Sequence, residues 1–399
     1  MRIFLLVAGL FLLIAIEVLR VYFIMPFPGS QAAQTVDVAY FIHHYITWFR
    51  IIGVLLAAYP LWYFFRKGSN VSRIVLAAVL VGYVVIFYLF NFRFLADKMF
   101  LVPETTAFEN SEHNKIPVKQ LVIGVMMGNT SKAYPIEIIG YHHQVRDTIN
   151  GQAIMVTYCT VCRTGRVFSP KVDDKLENFR LVGMDHFNAM FEDSSTKSWW
   201  RQVNGEAVVG PLKGKTLTEI PSEQMRLSAW IDQHPNTWIM QEDSVFKEKY
   251  EGMKNYDEGK SKSDLTRHDS LSWQNKSWVV GVQSGMKAKA YDWNDLLRTH
   301  VINDFLDQQP VMVVLQPDSV SFHAFSRVVD QDTLVFSYNE VIGNITDAKT
   351  NSLWNWNGEC VTGDFKGKRL STIQSYQEFW HSWKTFHPQT KQYLPSDQQ

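Results

Sequence analysis

The chain has 399 residues, with 39 Lys and Arg against 39 Asp and Glu, 46% hydrophobic and 14% aromatic residues, and three cysteines. Formal neutrality without a long charge block argues against a nucleic-acid binder held by phosphate contacts, and the aromatic content argues against a disordered polymer. The averages conceal a split, because residues 1–98 hold eight basic and three acidic side chains while the other 301 hold 31 and 36.

Three apolar stretches, residues 3–25, 45–65 and 74–92, dominate that first part. At about 1.5 Å per residue each is long enough to cross a hydrocarbon core of about 30 Å. Residues 1–98 are therefore predicted to be a membrane region of three transmembrane helices, with the lipid bilayer as partner. Val21 to Phe49 contains no Lys or Arg, whereas Arg66 to Arg73 contains three. By the positive-inside rule this predicts a multi-pass protein of the cell (inner) membrane, with a cytoplasmic N-terminus and a large periplasmic or extracellular C-terminal part. No small-x-small cleavage site precedes the second stretch, so the first is read as an uncleaved anchor. Glu17 with Arg20, and His43 with His44, lie near predicted helix ends, where snorkelling accounts for them.

Beyond the membrane region the chain resembles itself. Val122-Ile-Gly124-Val125, Gly128 and Lys132-Ala133-Tyr134 recur 157 residues later as Val279-Val-Gly281-Val282, Gly285 and Lys289-Ala290-Tyr291. The same offset carries His143 onto His300 and Asp147 onto Asp304. After small gaps Asp193, Thr196, Ser198 and Trp200 meet Asp347, Thr350, Ser352 and Trp354, and Trp230 with His234-Pro235 meets Trp383 with His387-Pro388. Ordered matches over this length predict two tandem units, 120–238 and 277–391, joined by a charged linker at 239–276; solenoid repeats are much shorter.

Each unit reads mainly β. Ala153–Tyr158 and Val311–Leu315 are apolar, β-branched runs, and Asn150-Gly151 is a hairpin-turn signal. Helices are expected over 223–233 and 376–386, each stopping before His-Pro because the proline ring disfavours helical geometry in the preceding residue. The expected fold class is mainly β with a few helices, a β-rich α+β protein whose duplicated extracytoplasmic units follow a three-helix membrane region.

Features present in only one copy are candidates for specialisation. The main one is Cys159-Thr-Val-Cys162, which the second copy replaces with Gln316 and Ser319. Two cysteines at this spacing bind one metal, close a small reversible disulfide, or work as a dithiol. A metal needs further donors, and His142 and His143 are the nearest imidazoles, with His186, Asp147 and Cys360 as further options; such a set suits Cu or Zn. The other readings are a structural disulfide between Cys159 and Cys162, the default outside the cytoplasm, and a redox pair. A c-type haem is disfavoured, since Arg163 stands where that motif needs histidine.

The Asp-x-x-Thr-x-Ser-x-Trp boxes (Asp193, Thr196, Ser198 and Trp200; Asp347, Thr350, Ser352 and Trp354) read as local turns before a buried tryptophan, or as a polar ledge beside an aromatic platform for a small-molecule or envelope-protein partner. No hydrolase elbow, zinc-protease helix or dinucleotide fingerprint occurs, so the sequence names no enzymatic reaction.

Lys132-Ala-Tyr-Pro-Ile-Glu-Ile-Ile, His143, Asp147, Gly151, Thr157-Tyr-Cys-Thr-Val-Cys and the Asp193 to Gly210 box together resemble the domain-of-unknown-function family 3179, over about residues 120–391. That resemblance implies a secreted or membrane-anchored location and supplies no activity. Family members typically carry Cys-Pro-Leu-Cys where this chain has Thr160-Val161 between its cysteines.

Overall fold

The computed structural model describes residues 1–103 and 105–395. The backbone divides into two compact units, residues 1–101 with 177–216, and 102–176 with 217 onward. Residues 177–216 thus group with the N-terminal helices, a division that the internal similarity does not indicate.

In the first unit, α1 (Arg2–Tyr22), α2 (Val36–Lys67) and α3 (Asn70–Phe92) are each long and apolar enough to cross a membrane. α2 begins ahead of the apolar run predicted at 45–65, because Val36–His44 continues the helix in more polar residues. Small residues let α1 and α2 approach closely: a Cβ on Gly9 would lie 2.8 Å from the Gly53 carbonyl oxygen. Polar side chains join all three helices. Glu17 on α1 is fully buried and accepts two hydrogen bonds from Arg50 on α2, at 2.6 and 2.9 Å, and one from Asn91 on α3 at 2.8 Å. Arg20 donates to the Asn91 side chain at 2.7 Å. In place of the expected snorkelling, Glu17 and Arg20 lie 3.9 Å apart and Arg50 and Asn91 reach Glu17 from helices remote in sequence.

A four-stranded sheet completes this unit, ordered Ala207–Val209, Trp199–Arg201, Asn188–Asp193, Phe179–Asp185. Its outer strand meets the chain after α1 through a hydrogen bond from the Met184 amide to the Ile24 carbonyl, at 2.7 Å. Gly183 permits that approach, since a Cβ there would sit 2.2 Å from the Ile24 oxygen. The His43 and Tyr40 rings of α2 pack edge-on against Trp199.

The second unit is β-rich with short helices. One five-stranded sheet runs Phe108–Asn110, Trp238–Met240, Thr130–Pro135, Leu121–Met127, Glu223–Arg226; a four-stranded sheet runs Ser375–Phe379, Trp278–Ser284, Lys287–Asp292, Lys391–Gln392. In both, a hairpin leads into a seven-residue helix, Ile136–His142 or Trp293–Thr299, that stops at a histidine in left-handed geometry, His143 (φ 60°) or His300 (φ 58°). Each of these histidines places Nδ1 on the carbonyl oxygen of the next hairpin, at 2.9 Å for Tyr158 and 2.8 Å for Leu315.

The helices expected at 223–233 and 376–386 form only in their second halves, Leu227–Gln233 and Trp380–Phe386. Glu223–Arg226 and Ser375–Phe379 are strands because they pair along Leu121–Gly124 and Trp278–Val282, and this tertiary pairing overrides local helix preference. Glycines 124 and 281 on the paired strands lie directly under Trp230 and Trp383 of those helices.

Candidate functional site

Strands Gln152–Cys159 and Thr164–Phe168 pair with Cys159 opposite Thr164, so residues 160–163 form the hairpin turn and Arg163 closes it at φ 56°. Both cysteines are fully buried and approach to 3.6 Å, with no disulfide between them. The turn sits at a strand end and meets the start of the short helix Trp380–Phe386, whose Ser382 bonds the Cys162 thiol. Burial above all, then the neighbouring Cys159, push the Cys162 thiol well above its ordinary pKa, against a hydrogen bond with Ser382.

Groups distant in sequence brace this turn. Arg163 donates to the Gln377 side chain at 2.9 Å and to the Tyr256 and Asp257 carbonyls at 3.1 and 2.8 Å, and its guanidinium lies 4.0 Å from the Trp278 ring centre. Tyr256 donates its hydroxyl to the Thr160 carbonyl at 2.9 Å, and the Phe379 amide donates to the Cys162 carbonyl at 2.9 Å. Lys276 donates to the Val161 carbonyl at 2.8 Å and to His381 Nε2 at 3.1 Å. Burial lowers Lys276 to about 8, partly opposed by the two cysteines, while burial and then Lys276 lower His381 to about 3. At neutral pH a lysine cation and a neutral imidazole therefore stand beside the thiols.

Behind the turn, Arg166 and Glu378 form a buried ion pair at 2.7 Å. Glu378 also accepts from Thr164 at 3.0 Å and from Ser382 at 2.8 Å, which links the ion pair to the thiol through the Ser382 hydroxyl. The segment expected to be a linker, 239–276, thus supplies Tyr256, Asp257 and Lys276 to the site. The strand Ser375–Phe379 and the helix after it supply Gln377, Glu378, His381 and Ser382. Sequence reading missed all seven; buried tyrosines within a charged stretch are the only local signal for the first group.

The histidines expected as metal ligands are engaged elsewhere. His142 Nε2 meets the Tyr250 hydroxyl at 2.7 Å, and His143 Nδ1 meets the Tyr158 carbonyl. Asp147 accepts from Lys132 and Tyr134, both at 2.7 Å; His186 pairs with Asp185 at 2.6 Å; and the Cys360 thiol donates to the Thr362 carbonyl. Among the described residues no group of three or more His, Cys, Asp or Glu side chains could hold a metal ion.

Both Asp/Thr/Ser/Trp boxes are closed turns. Asp193 accepts from the Thr196 hydroxyl at 2.8 Å, the Ser198 amide at 3.0 Å and Trp200 Nε1 at 2.9 Å. Asp347 accepts from the Thr350 hydroxyl at 3.0 Å and Trp354 Nε1 at 3.0 Å, and Ser352 bonds Thr350 at 2.6 Å. Trp200 and Trp354 are buried. A cavity of about 330 Å³ in the second unit is lined instead by Trp230, His234, Phe322, His323 and Arg369, among others.

These features define a β-rich protein with N-terminal helices that fit a membrane anchor. The family described as protein of unknown function (DUF3179) matches residues 102–390, and the chain belongs to that family. No curated protein and no solved structure matches it.

Proposed function

We propose that this is a membrane-anchored protein of the cell envelope whose Cys159 and Cys162 interconvert between a dithiol and a disulfide. The observation that carries the reading is their 3.6 Å approach in a turn braced by Lys276 and Arg163. Closing the S–S bond releases two protons and two electrons, taken up by a partner disulfide that leaves as two thiols. The Lys276 cation favours the attacking thiolate, whereas burial opposes it, so the pair is suited to slow, gated exchange rather than rapid turnover. The Lys- and Arg-rich connection at 66–73 supports an extracytoplasmic site, where oxidants are available. The matched hairpins, helix stops and tryptophan-covered glycines support descent of residues 120–238 and 277–391 from one duplicated unit, with the thiols retained or acquired in only one copy.

Thiol counting on the full-length protein in detergent, unfolded under acid quench after equilibration in glutathione buffers, tests this. Three thiols are expected at reducing poise and one at oxidising poise, with a reversible two-electron transition between them. A Cys162→Ser variant should give two thiols throughout. A pair that stays reduced, or stays oxidised, across the whole range of poise rejects the exchange reading.

The roughly 330 Å³ cavity favours a second reading, a ligand-binding module in which the pair is a structural disulfide. Replacing both cysteines by Ser separates the two, because a folded variant retains ligand binding only under the second.

A further inference from the structure

The cavity of about 330 Å³ lies where strand Glu223–Arg226 meets strand Phe322–Ser326, and a corresponding place in the same unit, where Ser375–Phe379 meets Thr164–Phe168, is filled. The two places match residue by residue. Phe325 pairs with Thr372 as Phe168 bridges to Glu219, and Trp230 follows Glu223 by seven residues as Trp383 follows Tyr376. In the filled place Arg166, two residues before Phe168, reaches Glu378 at 2.7 Å and lies 3.2 Å from the centre of the Tyr376 ring, whose hydroxyl donates to Glu219 at 2.9 Å. In the open place His323 stands two residues before Phe325, and Glu223 and Thr372 replace Tyr376 and Glu219. The shorter side chains leave free the space that a guanidinium and a phenol occupy in the counterpart.

The lining of that space is polar and uncommitted. The Glu223 carboxylate, the side-chain amides of Gln233 and Asn357 and the hydroxyls of Thr372 and Ser375 are each half-buried or exposed, and none has a hydrogen-bond partner among the described residues. His323 is the buried member, 4% exposed. The Gln316 amide nitrogen lies 3.4 Å from its Nε2, so the neutral ring carries its proton on Nδ1, a donor with no partner among the described residues. Burial lowers the His323 pKa and keeps the ring neutral. Charge along the wall balances, with the Glu223 carboxylate set against the Arg369 guanidinium, itself 3.0 Å from Glu359. An anion would meet Glu223 and a cation Arg369, whereas uncharged hydroxyl groups, each both donor and acceptor, match the mixture of amides, carboxylate and imidazole N–H. The volume is at the lower end of the roughly 300–1,000 Å³ usual for small-ligand pockets, which limits the ligand to one or two rings.

We propose that this cavity binds an uncharged mono- or disaccharide whose hydroxyls bond Glu223, Gln233, Asn357 and His323 Nδ1. The assignment rests on the ligand-binding reading of the cavity and asks nothing of the oxidation state of the thiols, which thiol counting reads separately.

Isothermal titration of the full-length protein in a polyoxyethylene detergent, which carries no sugar headgroup, tests the site. The probes are D-glucose, D-galactose, N-acetyl-D-glucosamine and maltose. D-Glucuronate and D-glucosamine, titrated at slightly acid pH so that both are ionised, place a charge of either sign on the same ring. Saturable binding of at least one uncharged sugar is expected, about tenfold or more tighter than either charged ring. His323→Arg gives the cavity the side chain that fills its counterpart and should abolish binding. Gln233→Ala removes an amide at the end of a helix without touching a backbone bond; it should weaken binding by about tenfold or more, and decides the matter if His323→Arg does not fold. Binding of a charged sugar alone overturns the uncharged-saccharide assignment while leaving the cavity a ligand site. Absence of binding by every probe, or full binding by the folded variants, overturns the assignment and the ligand-binding reading of this cavity together.

Discussion

At the scale of single residues, burial decides the chemistry of the titratable groups. Lys276 is a cation only below about 8, and while charged it lowers the cost of a thiolate at Cys159 or Cys162. Lys276→Met keeps most of the apolar stem and removes the charge, so alkylation of the native thiols by iodoacetamide should be slower than in the wild type at pH 7. That difference should shrink above pH 8 as the wild-type lysine loses its proton. Glu137 gives a test with the opposite sign. Its pKa rises from 4.5 to about 7, chiefly through burial, so the folded state holds a proton that the unfolded chain has released. Ionisation therefore costs stability progressively between pH 4.5 and 7. Glu137→Gln retains an acceptor for Gln120 and should show a higher Tm than wild type above pH 7, with the two converging below pH 4.5. The thiol pair was legible in the sequence from its spacing and its absence from the similar segment at 277–391. Its neighbours were not, because Lys276, Glu378, His381 and Ser382 lie more than a hundred residues away and follow no local pattern.

At the scale of elements, the fold depends on a few close approaches between strands and short helices. A Cβ on Gly124 would lie 2.3 Å from the Trp230 ring, and one on Gly281 2.2 Å from the Trp383 ring. Neither indole can retreat easily, since Trp230 and Trp383 are held by hydrogen bonds to Thr237 and Thr390, each at 2.8 Å. Gly124→Ala and Gly281→Ala should each destabilise the protein by about 1–3 kcal/mol in urea unfolding, the usual penalty of overpacking. The Arg166–Glu378 pair ties the hairpin that carries the thiols to the strand Ser375–Phe379. Glu378→Gln removes the nearer of the two carboxylates beside a buried guanidinium, leaving Glu219 at 3.7 Å, and should cost up to about 3 kcal/mol, read in the same way. The hairpins were visible in advance from Asn150-Gly151 and the β-branched runs. The strand character of Glu223–Arg226 was not, because it arises from pairing with Leu121–Gly124 rather than from its own composition.

At the scale of the whole molecule, the N-terminal helices are long and apolar enough to cross a membrane, whereas the thiol-bearing unit is built on β-sheets. Among α1, α2 and α3 the apolar effect gives little drive for helix association once they lie in lipid, so small-residue contacts and the Glu17, Arg50 and Asn91 network hold them together. Glu17→Gln leaves Arg50 and Arg20 without their carboxylate and should lower the Tm of the detergent-solubilised protein, whereas Phe11→Leu on the exposed face of α1 should leave it unchanged.

The sequence by itself determined the three apolar spans, the β-rich class, the matched motifs and the cysteine pair, because each is a property of spacing along the chain and of composition. Tertiary structure alone decided that His142 and His143 turn to Tyr250 and to the Tyr158 carbonyl, that the segment 239–276 braces the thiol turn, and that residues 177–216 group with the N-terminal helices. The physical reason is common to all three: a buried polar group takes the partner that packing brings within about 3 Å, and that partner is set by how sheets and helices meet, not by distance along the chain.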